Sequence, residues 1–199
     1  MKLGFYPKLA WTGMRSNRKL YLPYLITCIS MVAMLYIVGY LSGAEAVRHL
    51  PGGQFIQESL GLGVWIIALF AGLFLVYSSS FLMRRRKKEF GLYNILGMGK
   101  GHLGMVVFWE TVMTAVISIS GGLVAGIMLS KLSELCIVNI VGGEVDYSLT
   151  ISGRSVITAC IVFAVIFLVI MVKSLWQIRR TNAINLLKSE NVGEKLPRL

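Results

Sequence analysis

Charged residues are scarce in this chain of 199 residues, and acidic residues are the scarcest. Only 15% of the residues are charged, with 9 acidic and 20 basic side chains, while 56% are hydrophobic. Soluble domains contain about 25% charged residues. The composition therefore excludes an ordinary soluble domain and indicates a membrane protein.

Cysteine and histidine are too few and too dispersed to form a disulfide framework or a metal centre. Cys28, Cys136 and Cys160 are far apart in the sequence, and an odd number does not suit a set of disulfides. Two of them lie in apolar runs and are predicted to be small packing residues. His49 and His102 have no second ligand at helical spacing, so we expect no metal site and no cofactor.

Motifs for catalysis are also lacking. A phosphate-binding loop requires G-x-x-x-x-G-K-[ST], in which backbone amides hold the phosphates and the hydroxyl binds magnesium. Around Gly99 and Lys100, Asn94 replaces the first glycine and Gly101 replaces the hydroxyl residue. No Ser/His/Asp set or carboxylate pair converges. The chain is therefore predicted not to be an enzyme and to lack an ATPase site of its own.

Four windows without any charged residue are long enough to cross a bilayer. They lie between Lys19 and Glu45, Glu58 and Arg84, Glu110 and Lys131, and Arg154 and Lys173. About 18 or more apolar residues cross the hydrocarbon as a helix, which satisfies every backbone polar group internally. We predict an all-α integral membrane fold with spans near residues 20–42, 62–83, 104–130 and 154–173.

The cations segregate to one side of these spans. Seventeen of the 20 lie in the N-terminal stretch, the loop after the second span or the C-terminal tail, and only Arg48, Lys131 and Arg154 lie near the other side. The positive-inside rule then predicts that both termini are cytoplasmic. Beside apolar spans, the same cations are expected to attract anionic membrane lipids and not nucleic acid.

The N-terminal residues 1–19 mix aromatic and aliphatic side chains with cations. This pattern predicts a helix that lies in the membrane interface. Proline is well tolerated in the first turn of a helix. We therefore expect the chain to turn into the membrane at Pro23, at the start of the first span.

The third span contains two features of its own. Gly122 and Gly126 form a G-x-x-x-G motif, which permits close helix approach. We favour packing within this chain over contact with another chain. Glu110 is predicted to be the one acid that faces the membrane zone, near its interface. The spans offer no further buried ionisable groups for a proton relay, so the role of Glu110 is predicted to be structural, with its charge neutralised by the basic loop.

The segment RRRKKEFGLYNILGMGKGH, residues 84–102, follows the second span. Its five consecutive cations are explained as an anchor at the lipid headgroups. Residues 89–99 are not explained in this way, because they form a short apolar stretch outside the bilayer that ends at glycines. A hydrophobic helix held there is predicted to dock in a groove of another protein.

This segment resembles the region between the second and third helices of FtsX-like permeases, the membrane subunits of a group of ABC transporters. The family pattern is a basic cluster, Glu-x-Gly, an apolar pair with a Leu-Gly turn, and an acid early in the third helix. These places are occupied by Glu89, Gly91, Ile95, Leu96, Gly97 and Glu110. The segments PKLAWTGMRSNRKLYLPYL and RRTNAINLLKSENVGEK are also similar to the family's flanking regions, so the resemblance covers nearly the whole chain.

The resemblance implies that residues 89–99 are a coupling helix for a partner ATPase. The coupling residues that it implies are Glu89, Phe90, Gly91, Tyr93, Ile95, Leu96 and Gly97. The implied partners are a cytoplasmic ABC ATPase, further permease sequence or a second permease chain, and a sensor histidine kinase, all at a bacterial cell membrane. The implied function couples ATP hydrolysis to export of, or protection from, peptide antibiotics. The alternative is a non-transporting scaffold or signalling subunit regulated by such an ATPase.

These inferences divide the chain into three parts. We expect an interfacial helix at residues 1–19, a four-helix FtsX-like transmembrane domain at 20–176, and a cytoplasmic basic tail at 177–199. The short outer loop at 43–61 resembles the bacitracin-resistance type of permease, in which six more helices follow the first four. The chain is therefore expected to be the N-terminal half of such a permease, or a half-size relative that needs a partner.

Overall fold

The protein is helical in every range that the computed structural model describes, namely residues 5–48, 52–86, 89, 91, 98–141 and 151–180. Six helices have both ends defined within these ranges: α1 Phe5–Ser16, α2 Arg18–Gly43, α3 Glu45–Arg48, α4 Gly53–Arg85, α5 Lys100–Val141 and α6 Gly153–Arg180. The described residues contain no strand. The predicted all-α membrane fold is confirmed.

Four of these helices, α2, α4, α5 and α6, are long and apolar enough to cross a membrane. They confirm the four predicted spans. Three of them are longer than expected, since α4 begins at Gly53, α5 continues to Val141 and α6 continues to Arg180. A charge-free window marks only the part of a helix that hydrocarbon can surround. Beyond that part, charged side chains reach water or polar partners, and the helix does not need to stop.

The long helices alternate in direction, and they define a basic end of the bundle. Met83 near the end of α4, Leu103 and Val107 at the start of α5, and Ile178 at the end of α6 form one buried cluster. A second cluster joins Leu82 of α4 to the beginning of α2. Thus α2 and α5 begin at the basic end and run parallel, while α4 and α6 end there.

Helix α1 lies against the beginning of α5 at the basic end. It buries Ala10 and Met14 on one side, while Trp11 on the other side is 52% exposed. A hydrogen bond of 2.7 Å joins Tyr6 Oη to His102 Nδ1 of α5. One face of α1 therefore packs on the bundle, and the other is available to the membrane interface.

The chain turns between α1 and α2 at Asn17. The prediction that it turns at Pro23 is wrong, because α2 begins at Arg18 and contains Pro23 in its interior. A proline is compatible with a helix start but does not impose one. Here Asn17 separates the two helices, and its side chain donates a hydrogen bond to Glu89, which follows α4.

Helix α2 is central and packs against α4, α5 and α6. Its contact with α5 includes a close approach at the two glycines of the G-x-x-x-G motif. A Cβ atom at Gly122 would lie 2.4 Å from Val32 Cβ and 2.8 Å from the backbone oxygen of Ile29. At Gly126 it would lie 3.0 Å from Tyr36 Cδ1. The two glycines thus allow the backbones of α2 and α5 to approach.

Gly122→Ala is expected to destabilise the protein, and Gly121→Ala is not. Both changes favour the helix by roughly 1 kcal/mol. At Gly122 the new Cβ would overlap the Ile29 backbone, and relieving such overpacking costs roughly 1–3 kcal/mol. At Gly121 it would meet Ile29 Cδ1 at 3.5 Å, which is ordinary contact. Thermal unfolding in a neutral detergent measures the difference, and equal midpoints for the two variants would contradict this packing.

Candidate functional site

Arg86 follows the last residue of α4 and is buried in the bundle. Its side chain is 2% exposed, whereas Arg84 and Arg85 before it are exposed. The expectation that residues 84–88 all anchor at headgroups is therefore wrong for Arg86. A buried cation requires a partner of opposite charge, and the fold supplies one from α5.

Arg86 is paired with Glu110 and with the hydroxyl group of Tyr21. Its Nη1 atom lies 2.6 Å from Glu110 Oε2 and donates a further hydrogen bond to Tyr21 Oη. The Tyr21 hydroxyl donates to the same carboxylate oxygen at 3.0 Å. Glu110 is only 4% exposed. The end of α4, the first turn of α2 and the early part of α5 therefore meet at one ion pair.

The same arginine also holds Glu89, at the beginning of the segment that was predicted to be a coupling helix. Arg86 Nε donates to Glu89 Oε2 at 3.0 Å, and Asn17 Nδ2 donates to Glu89 Oε1 at 2.5 Å. Glu89 is 34% exposed and forms the rim of this arrangement. We call these five residues, Asn17, Tyr21, Arg86, Glu89 and Glu110, the Arg86 network.

Helix α1 covers the Arg86 network through Gly13. A Cβ atom at this glycine would lie 3.2 Å from both Arg86 Nη2 and Glu110 Oε1. Glu110 Oε1 is buried and has no hydrogen-bond partner among the described residues. Gly13 thus lets α1 approach closely enough to shield the ion pair from solvent.

The Arg86 network contains more acidic than basic groups. It contains two carboxylates and one guanidinium, which gives a formal charge of −1 when all are ionised. Burial by itself lowers the pKa of Arg86, but its contacts with Tyr21, Glu110 and Glu89 raise that pKa above the ordinary value. The guanidinium therefore stays charged and remains the centre on which both acids converge.

The geometry suits a joint between helices better than a binding pocket. The cavity beside Glu110 has a volume of about 30 Å³, which is space for about one water molecule. Across the described ranges, no group of three or more His, Cys, Asp or Glu side chains could hold a metal ion. The network links Glu89 to α2 and α5 through short hydrogen bonds and ion pairs.

A second buried acid, Glu134, lies near the other end of α5. Tyr40 Oη of α2 donates to Glu134 Oε2 at 2.8 Å, and Lys131 Nζ lies 3.1 Å from the same oxygen. The expectation that Glu110 is the one acid facing the membrane zone is therefore wrong. The predicted third span ends before Glu134, at the charge of Lys131, whereas in the structure α5 continues and Glu134 is 6% exposed.

The structure describes two of the predicted coupling residues. Glu89 belongs to the Arg86 network, and Gly91 is buried. The remaining predicted coupling residues lie outside the described ranges: Phe90, Tyr93, Ile95, Leu96 and Gly97. Gly122 and Gly126 lie against α2, in the middle of the bundle and away from the network.

Sequence reasoning missed Asn17, Tyr21 and Arg86 as members of a site. Arg86 is hidden in a run of five cations, and Tyr21 looks like any aromatic residue at a membrane interface. The helical phase of α4 agrees with the position of Arg86 once the buried face is known. Ser79 and Leu82 are buried, and Arg86 lies seven and four positions after them on the same helix face.

The family model described as FtsX-like permease C-terminal matches residues 61–183, a range that contains Arg86, Glu89 and Glu110. The uncharacterized ABC transporter permease YvcS of Bacillus subtilis is 26% identical over 191 residues, which cover 95% of this chain and 30% of that protein.

Two proteins named bacitracin export permease protein BceB are also similar. The one from Bacillus subtilis is 27% identical over 185 residues, covering 91% of this chain and 28% of that protein. The one from Halalkalibacterium halodurans is 22% identical over 174 residues, covering 87% and 27%. The chain thus spans less than a third of the length of these relatives.

Proposed function

The chain belongs to the FtsX-like permease family, and we propose that it serves as a membrane permease subunit, or part of one, driven by a separate cytoplasmic ABC ATPase. It is a multi-pass membrane protein with four helices able to span the bilayer. The relative YvcS is named as an ABC transporter permease, which supports a partner that hydrolyses ATP. Both BceB relatives are named for bacitracin export, which supports peptide antibiotics as the substrate class.

The observation that carries this proposal is the Arg86 network. An ATPase docked on residues 89–99 can move the membrane helices through the backbone on either side of that segment and through side-chain contacts that leave it. Glu89 is held by Arg86 and Asn17, and Arg86 is held in turn by Glu110 and Tyr21. A displacement of Glu89 therefore acts on α2 and α5 through these contacts.

The second acid extends this transmission to the other end of the bundle. α2 is tied to α5 by Tyr21 and Glu110 at the basic end, and by Tyr40 and Glu134 at the opposite end. The two acids are 24 residues apart in α5, or about 36 Å along the helix axis. This exceeds the hydrocarbon thickness of about 30 Å. The pair of helices is suited to carry movement across the membrane.

We also propose the arrangement of the whole chain. The basic end faces the cytoplasm, as the distribution of cations supports. Residues 1–19 form the interfacial lead, 20–176 the transmembrane domain and 177–199 a basic tail. Because the relatives are much longer, further permease sequence or a second permease chain would complete the transport path.

The test is binding of the cognate ATPase to inverted membrane vesicles that contain this chain. Phe90→Ala and Leu96→Ala each remove a side chain whose burial contributes roughly 1.5–3 kcal/mol, so we expect affinity to fall by about tenfold or more. Phe81→Ala is the matched control, since Phe81 is an exposed aromatic residue of α4 at the same end. Right-side-out vesicles should not bind the ATPase.

Each part of the proposal has its own contradicting result. Unchanged affinity for both Phe90→Ala and Leu96→Ala would reject residues 89–99 as the docking segment. Binding to right-side-out vesicles alone would reject the orientation. Docking without any effect on ATP hydrolysis would favour the scaffold or signalling alternative.

A further inference from the structure

An apolar groove lies between α1, α2 and α5 at the basic end. It has a volume of about 190 Å³. Trp11 lines it from α1, Leu22 and Leu25 line it from α2, and Ile117 lines it from α5. Its accessible wall is almost entirely apolar. An apolar cavity of about 150 Å³ already holds a benzene-sized ligand, so this groove has space for several methylene groups.

Two arginines, Arg15 of α1 and Arg18 of α2, stand at the mouth of the groove. Both line it and both are exposed. Since the wall is apolar, they contribute their aliphatic stems to it and extend their guanidinium groups outward. Neither has a carboxylate partner among the residues that the structure describes. The groove therefore combines an apolar slot with two unpaired cations at its opening.

The groove extends from the first residue of α2 into the predicted span, the stretch along which a phospholipid would pass from headgroup to acyl chain. Arg18 is the first residue of α2, and Leu25 is about two turns further into the span, about 10 Å along the axis. Trp11 beside the mouth is 52% exposed, as is typical of an aromatic residue at a membrane interface. A small polar ion would leave the slot uncovered, and an apolar helix would leave both guanidinium groups without a partner.

We infer that this groove binds an anionic phospholipid. Its phosphate groups pair with Arg15 and Arg18, because guanidinium groups form paired hydrogen bonds with phosphate oxygens. The first part of one acyl chain lies along Leu25 and Ile117. Tyr21 forms part of the wall and carries its hydroxyl into the Arg86 network, so the lipid contacts one member of that network. The inference rests on the groove and does not require an ATPase partner.

The test is a lipid titration of the chain in neutral detergent, followed by native mass spectrometry. We expect phosphatidylglycerol to be retained as one bound molecule, in preference to phosphatidylcholine. Arg15→Gln/Arg18→Gln should weaken its retention by about tenfold or more, given the contribution of each cation near an anionic lipid. Arg84→Gln/Arg85→Gln is the matched control, because it removes the same charge from the same end but away from the groove.

A second pair of variants tests the apolar slot. Ile117→Trp places a large ring in the groove and should abolish retention, whereas Val116→Trp changes a neighbour that is 62% exposed and should not. If Arg15→Gln/Arg18→Gln and Arg84→Gln/Arg85→Gln weakened lipid retention equally, the lipid would be attracted by the net charge alone, and the proposed site would be rejected. Lipid retention by the Ile117→Trp variant would also reject the site. Dimerisation through the groove that the lipid does not displace would reject it as well. If Ile117→Trp fails to fold, the arginine pairs still decide the question.

Discussion

Arg86→Met is expected to be among the most destabilising single changes in this protein. It leaves the Glu110 carboxylate buried, 4% exposed, and without the cation that lies 2.6 Å away. Removing one partner of a buried ion pair costs about 3–5 kcal/mol. Arg84→Met, which changes an exposed cation of the same run, should alter the stability by about 0.5 kcal/mol or less. Denaturant unfolding in detergent micelles measures both.

A double variant separates the loss of a charge partner from the loss of packing. Replacing both members of a buried ion pair by apolar groups of similar volume is often neutral or stabilising. Arg86→Met/Glu110→Met should therefore be more stable than Arg86→Met alone. If the double variant were as unstable as the single one, Arg86 would contribute through its packing and not through its pairing with Glu110.

Glu89→Ala is expected to abolish most of the stimulation of ATP hydrolysis while leaving the docking of the ATPase intact. This prediction follows from the proposed function, because Glu89 joins the docking segment to Arg86 and Asn17. Glu89→Gln, which keeps an oxygen that can accept from Asn17 but loses the charge, should give an intermediate loss. Glu89 is 34% exposed, so neither change should impair folding.

The measurement is the rate of ATP hydrolysis by the reconstituted complex, together with the affinity for the ATPase. Glu58→Ala is the control, since Glu58 is an exposed acid at the opposite end of α4. Full stimulation by Glu89→Ala would reject the network as the route of transmission. Loss of binding would instead place Glu89 in the docking surface itself.

The four spans could be predicted from the sequence because the absence of charge is a local property. The start of α4 and the ends of α5 and α6 could not, since the position of a terminal helical residue depends on what the side chains meet outside the hydrocarbon. The turn at Asn17 was missed for a related reason. Its side chain does not cap α2, and its partner Glu89 is 72 residues away.

The candidate site could be predicted only in part. The sequence identifies Glu110 as an acid in need of a cation, but five consecutive cations compete for it. Which of the five pairs with Glu110 depends on the face of α4 that each one follows. The buried face of α4 is known only from the structure. The network also includes Tyr21 and Asn17, whose types are common at interfaces and turns. Their roles follow from how α1, α2 and α5 pack together.

The order of the polar partners along the chain bears on how the protein is assembled during synthesis. Glu110 pairs with Tyr21 and Arg86, and Glu134 bonds with Tyr40 and Lys131. All four of these partners precede their acid in the sequence. Since chains form structure from the N-terminus while they are made, each acid enters the bilayer after the groups that compensate it. Helix α2 therefore acts as the template on which α5, with its two carboxylates, can be inserted.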